Sequence, residues 1–254
     1  MKKTIIIMLM ALLMLSCTQS VEKATEELKQ ETGNIIEQLE QCNDETEAEK
    51  LFEEYISLIT DYLHKYGDTE QGIDILRENY YLLTLEELED VFDALKQETL
   101  ENEKIASIYS NFLIQKATSE GNQFIDFSAL TPEGEELSLS SIIGKTDYVL
   151  VDFWASWCGP CRQSMPQMKN LYKEANGRLQ ILGVSLDNDK EKWLNAIATL
   201  DLPWLHISDL KGWKSIPAGL YGINAIPATI LIDKNGLIVG RNLDTKDIMI
   251  LLSE

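Results

Sequence analysis

Histidine is nearly missing from this chain. It has only His64 and His206, far apart in sequence. Cysteine is scarce too: Cys17, Cys42, Cys158 and Cys161 are all there is. A structural zinc site needs two cysteine pairs, or one pair with histidines at ligand spacing. One close pair exists here, so neither a metal nor another cofactor is expected. Cationic side chains are also in short supply: 22 Lys and Arg against 42 Asp and Glu leave a net charge of −20. That balance argues against nucleic acid or an anionic lipid surface as the main partner. The apolar run Ile5 to Leu15 is too short to span a bilayer as a mature helix.

What the run does fit is an export signal. Lys2 and Lys3 precede it and Ser16-Cys17 end it. A small residue before cysteine at that place resembles a bacterial lipoprotein signal, which makes Cys17 the lipidated first residue of the mature chain. Met14 and Leu15 stand where leucine and a small residue are commoner. An ordinary secretory signal, with Cys17 discarded or free, is the other reading. Either one takes the chain out of the cytosol. Residues 1–17 are thus a signal segment and the expected address is the cell envelope.

A region of helical pattern follows, read as an all-α domain over residues 18–118. Val21, Ala24, Leu28, Ile35, Ile36 and Leu39 form a first stripe, and the same heptad spacing carries it to Cys42, expected as a small buried hydrophobe. Gly33 interrupts that pattern. Thr46 with Glu49, and Thr84 with Glu87, have the spacing of capping boxes. Gly67 is placed to stop the second helix. His64, near that helix's end, is set beside the negative terminus, with no catalytic partner in view. A bundle of four or five helices is expected. Residues 18–120 hold 26 acids and 8 bases. That surface is either plain solvated charge or a docking face for a basic partner protein.

The pattern changes at Gly121, and 119–254 reads as an α/β domain. Phe124 to Phe127 and Leu137 to Leu139 flank the turn Thr131-Pro132-Glu133-Gly134, a hairpin signal. Apolar strands at Tyr148–Phe153, Leu179–Leu186, Trp204–Ile207, Ala228–Ile232 and Leu237–Val239 alternate with helical segments, which implies a central sheet covered on both faces. Between the first of these strands and a helix from Arg162 lies Trp157-Cys158-Gly159-Pro160-Cys161. Strand, turn, Cys-x-x-Cys, helix is the setting in which this spacing means dithiol redox chemistry. A free thiol is only about 3% ionised at pH 7, and a helix N-terminus favours the anion. Cys158 is therefore the expected nucleophile, and Cys161, one turn further in, acts second. Pro160 suits the first turn. Asp152 lies inside an apolar strand, where burial raises an acid's pKa and fits it to exchange a proton with Cys161.

The string from Val151 to Cys161 resembles thioredoxin almost residue for residue, with Pro166 matching that family's helix-kinking proline and Lys234-Asn235-Gly236 its late turn. The hairpin, the extra βα unit at Trp193 and Trp204, and the exported address resemble the envelope-anchored thioredoxin-like proteins of the TlpA/ResA type, allied to the peroxiredoxins. The fold implied is thioredoxin-like with an N-terminal β-hairpin and an extra βα unit, preceded by the separate helical domain. The resemblance makes Ile226-Pro227 the family's cis-proline, with Ile226, Pro227 and Trp157 contacting substrate. It makes Asp152 the buried general base, though Leu182-Gly183-Val184-Ser185 lacks the lysine that accompanies that acid in thioredoxin. The Gly-Pro dipeptide implies a reductant of protein disulfides, recharged by an envelope electron donor.

Two rivals stand beside this reading. A thiol peroxidase would share the fold, but a peroxidatic cysteine normally follows Pro-x-x-x-Thr, which Phe153-Trp154-Ala155-Ser156-Trp157 lacks. A partner-binding lipoprotein would place the main role in the helical domain. On the sorting rule for the residue after the lipidated cysteine, Thr18 favours the outer membrane, with the protein on the periplasmic side.

Overall fold

The computed structural model describes residues 18–253 in full, backbone and side chain. The signal segment expected at residues 1–17, with lipidation of Cys17, lies outside the described residues. Among the described residues no helix is long and apolar enough to cross a membrane. The chain forms two compact units, Met1–Phe112 and Leu113–Glu254.

The first unit is helical: α1 (Lys2–Gln41), α2 (Glu45–Tyr66), α3 (Glu70–Asn79), α4 (Leu85–Ala94), the single turn α5 (Gln97–Leu100), and the start of α6 (Ala106–Ala117). Val21, Leu28 and Ile35 are buried, and Leu28 joins Ile56, Ile59 and Leu63 of α2 in the core. Thr25 and Tyr62 add a buried hydroxyl pair at 2.6 Å between the two helices. Phe92, Tyr109 and Phe112 form an aromatic cluster, with ring centroids 5.0 Å apart from Phe92 to each of the others. His64 Nε2 lies 2.9 Å from the Asp90 carboxylate and ties α2 to α4 at the surface.

Three local expectations need correction. α1 runs unbroken through Gly33; nothing crowds that glycine, so the packed faces on either side carry the helix across its weak propensity. The heptad stripe ends before Cys42, which lies past the helix end, half-exposed, with its sulfur 3.2 Å from the Asp44 carbonyl. Asp44 rather than Thr46 caps α2, accepting the Glu47 N–H at 2.9 Å; a carboxylate placed two residues earlier also meets the positive helix end. Gly67 does end α2, but with the helical φ of −58°. Glycine is needed there for space, since a Cβ would lie 2.4 Å from Leu95 Cδ2. The Thr84–Glu87 capping box forms as expected.

The second unit opens with an antiparallel hairpin, β1 (Ser128–Leu130) and β2 (Glu136–Ser138). The expected first strand, 124–127, lies outside it. Its first residue, Phe124, and Gln123 before it instead pair with the Gly236–Leu237 turn. The main sheet has the order β5-β4-β3-β6-β7, built from β3 (Tyr148–Trp154), β4 (Leu179–Ser185), β5 (Leu205–Ile207), β6 (Ala228–Asp233) and β7 (Ile238–Arg241). β3, β4 and β5 are parallel, while β6 runs antiparallel to β3 and β7 to β6. The strand expected as a third core strand, β5, is the edge, pairing with β4 alone.

β3 is central and buried from Val149 to Trp154. Its alternating side chains feed both faces. Phe153 meets Tyr221. Trp154 meets His206, which meets Trp204, which packs on Tyr172. Tyr172 belongs to α7 (Gly159–Glu174), and the remaining helices are α8 (Lys190–Leu200), α9 (Ile216–Leu220) and α10 (Thr245–Leu251). Arg241 on β7 donates to Thr118 Oγ1 at 2.9 Å and to the Tyr221 carbonyl at 2.9 Å, fixing the start of the unit to its sheet.

The reassigned cap generates a test. Asp44→Ala should cost about 1 kcal/mol, whereas Thr46→Ala should stay within about 0.5 kcal/mol of the parent. Thermal unfolding of the two variants, followed by far-UV circular dichroism, separates the two positions.

Candidate active site

β3, the middle strand, delivers the chain to the C-terminal end of the parallel strands, where Ala155 is still fully buried. The next residue is clamped. Asp187, itself buried, accepts the Ser156 N–H at 2.9 Å through one oxygen and the Ser156 hydroxyl at 2.5 Å through the other. The Ser185 hydroxyl also donates to Asp187, at 2.7 Å. Asp187 therefore sets the loop that presents Trp157 and Cys158. Sequence reasoning missed it. The available signal was an acid directly after the apolar strand 179–186, which reads as an ordinary loop residue unless the fold brings it beside Ser156.

Cys158 is the N-cap of α7 in extended conformation, with Pro160 in the first turn. Its Sγ accepts the Cys161 backbone N–H at 3.1 Å. Cys158 and Cys161 are joined in a disulfide, their Cα atoms 5.3 Å apart. The sulfur-bearing residues are unequally covered: Cys158 is 5% exposed and Cys161 1%.

The facing wall comes from the segment before β6. The Ile226–Pro227 peptide bond is cis. The Ile226 carbonyl oxygen lies 3.7 Å from Cys158 Sγ, half-buried and ahead of the β6 ladder, with Pro227 exposed beside it. Trp157 is 53% exposed. Cys158, Cys161, Trp157, Ile226 and Pro227 thus converge on one spot.

Asp152 lies below it, two residues before the end of β3 and almost wholly buried, with Oδ2 lacking a hydrogen-bond partner. Burial alone drives its carboxyl up to about 7. Its partner across the parallel ladder is Gly183, and Gly183 in turn pairs with His206. No cationic side chain occupies that register. The His206 ring fills the space over Gly183, where a Cβ would lie 2.5 Å from Nδ1. Burial pushes His206 down to about 4, so it is neutral and brings no charge to the carboxylate. A cleft of about 240 Å³ is bordered by Asp152, Ser164, Pro227, Thr229 and Asp244. The buried acid thus shares solvent-sized space with the exposed proline. Among the described residues no three His, Cys, Asp or Glu side chains are grouped to hold a metal ion.

Such a pair of sulfurs can cycle between disulfide and dithiol, with a group titrating near neutrality in the strand beneath. Comparison with known proteins agrees. A family model described as thioredoxin-like matches residues 145–238. The thioredoxin-like protein YneN of Bacillus subtilis is 39% identical over 122 residues, covering 47% of this chain and 68% of that protein. The thiol-disulfide oxidoreductase ResA of Bacillus cereus is 30% identical over 137 residues, covering 53% and 76%. Among solved structures, the C-terminal domain of a putative thiol-disulfide oxidoreductase from Bacteroides thetaiotaomicron superposes with a TM-score of 0.50 at 33% identity, covering 54% of this chain and 97% of that one. The two relatives and the solved structure each span about half of the chain. The chain belongs to the thioredoxin-like thiol–disulfide oxidoreductases of the ResA type.

Proposed function

We propose that the protein reduces disulfides of envelope proteins, with Cys158 as attacking thiolate, Cys161 as resolving thiol and Asp152 as the group that takes the Cys161 proton. The observation that carries this reading is the Cys158 sulfur at the N-terminus of α7, bonded to the Cys161 N–H and facing Ile226. In the reduced protein the Cys158 thiolate attacks one substrate sulfur. The substrate S–S bond breaks, a mixed disulfide forms, and the first substrate thiolate leaves and takes a proton. Cys161 gives its proton to Asp152 and attacks the Cys158 sulfur. The Cys158–substrate S–S bond breaks, the second substrate thiolate leaves and takes a proton from Asp152 or solvent, and the Cys158–Cys161 disulfide is left. Two electrons and two protons pass to the substrate, and a dithiol donor in the envelope must return them. Ile226 and Pro227 offer backbone to an extended substrate segment, and Trp157 its ring.

The envelope address rests on the export pattern of residues 1–17, with lipid on Cys17 and a preference for the periplasmic face of the outer membrane. We assign residues 18–118 to a helical domain that offers an acidic face to a partner protein, and 119–254 to the redox domain.

Cys161→Ser should stop turnover and trap the mixed disulfide on Cys158, seen as a covalent substrate adduct by mass spectrometry of the full chain. Cys158→Ser should give neither turnover nor adduct. An adduct on Cys158→Ser would move the nucleophile elsewhere.

Asp152 supplies a second test. Its folded value of about 7 lies above that of a solvated aspartate. Between about pH 4 and 7 the folded chain holds a proton that the unfolded chain releases, so stability declines as pH rises through that window and levels off above it. The decline attributable to this group is at most about 4 kcal/mol. Urea unfolding of the oxidised protein at several pH values should show it in the parent and lose it in Asp152→Asn. The same variant should slow release of the mixed disulfide on the order of a hundredfold near neutral pH.

A further inference from the structure

A second tryptophan stands beside the first. Trp213 lies in the short turn Gly212–Lys214, its ring centroid 6.1 Å from that of Trp157. Each of the two is 53% exposed, and Ile216, just beyond, is 55% exposed. Large exposed aromatic surface next to a reactive centre is the composition of an interface core rather than of ordinary surface.

The patch is held rigid. Asp209 staples its loop by accepting the Ile216 N–H at 2.8 Å and the Lys211 N–H at 3.2 Å. Leu210 and Gly212 take left-handed φ values of 55° and 58°. The Ser208 hydroxyl anchors the loop on the Ser185 carbonyl at 2.9 Å. Ser185 also supports Asp187, which clamps the Trp157 loop. Both tryptophan loops thus hang from one strand end, so little ordering entropy is lost on binding.

The charge around the patch runs against that of the chain. The segments 156–162, 209–216 and 223–228, which meet around the disulfide, carry three exposed cations, Arg162, Lys211 and Lys214; the buried acids Asp187, which holds Ser156, and Asp152 lie behind them, and the one carboxylate of the segments themselves is Asp209. That carboxylate is already occupied by backbone N–H groups. A chain of net charge −20 thus carries three exposed cations in the segments around its redox centre.

We propose that Trp157, Trp213 and Ile216, rimmed by Arg162, Lys211 and Lys214, form a docking surface for protein segments whose attacked cysteine is neighboured by an apolar and an acidic residue. Trp213 is then a specificity-determining residue. This rests on the reductase reading above and adds to it the class of substrate.

The test uses the full chain, pre-reduced, in single-turnover reactions with three probes. These are hydroxyethyl disulfide and two short disulfide-closed peptides carrying Leu-Asp or Gly-Lys beside the cysteine. The parent should prefer the Leu-Asp peptide over the Gly-Lys peptide by about tenfold in second-order rate constant. Trp213→Ala should lower the ratio of the Leu-Asp rate to the hydroxyethyl disulfide rate by about tenfold, mainly through weaker peptide binding. Trp213→Phe should restore part of it. Lys211→Glu with Lys214→Glu should erase the preference between the peptides. A ratio unmoved by Trp213→Ala, or a parent that treats the peptides alike while reducing all three probes, overturns the docking surface and leaves the reductase standing. A reduced parent that reacts with none of the probes overturns both.

Discussion

A sulfur atom caps a helix, and the rest of the redox unit is arranged to let it. The Cys158 Sγ takes the place of the oxygen that usually receives an early helical N–H, here that of Cys161 at 3.1 Å. When the dithiol is reduced, two effects favour negative charge on that sulfur. The helix terminus contributes about 0.3–1 kcal/mol, and a direct N–H bond to a charged acceptor about 1.5–3 kcal/mol. The bond is the larger, and it depends on geometry. A loop free to move would forfeit it. This accounts for a buried Asp187 holding both the backbone and the hydroxyl of Ser156, for Pro160 in the first turn, and for a delivering strand that lies in the middle of the sheet with partners on both sides.

The same central strand carries the group that complements the sulfur. An isolated carboxylate in an apolar strand would be costly. Asp152 avoids the cost by staying protonated until near neutrality, because nothing around it stabilises the anion. Gly183 opposite has no side chain, and the ring that fills the gap is an uncharged histidine. A lysine at that register would lower the carboxyl and weaken it as a proton acceptor at neutral pH. The missing cation therefore keeps the acid titrating near neutrality, the range that the proposed proton transfer from Cys161 calls for. The cleft shared by Asp152 and Pro227 opens that carboxyl to solvent-sized space.

Much of this was legible in the sequence, because strand periodicity and the Cys-Gly-Pro-Cys turn are local signals. Cys158, Cys161, Asp152 and the Thr84–Glu87 box needed only spacing and residue type. Other features were illegible for a physical reason: they depend on which distant segments meet. Asp187 and Ser156 are far apart in sequence, and no local pattern pairs them. Gly183 looks like a weak strand position until His206 is found leaning over it. Trp213 reads as a loop aromatic until its ring is placed beside Trp157. In the helical unit the errors were of another kind. Thr46 and Asp44 compete for one helix start, and the carboxylate wins through its charge. Cys42 continued a heptad that the chain leaves at Gln41.

Charge is distributed unevenly along the chain. Most of the acid belongs to residues 18–120, with 26 acids against 8 bases, while the segments around the disulfide are cationic. At physiological ionic strength, exposed charges further apart than about 8 Å are largely screened from each other. An approaching substrate segment therefore responds chiefly to the cations it meets at contact range in the segments around Trp157 and Trp213. Selection at the sulfur is then a local matter of a few side chains on stapled loops. A strongly acidic protein can keep its own surface soluble and still receive an acidic segment at the one place where a disulfide must be brought within reach of Cys158.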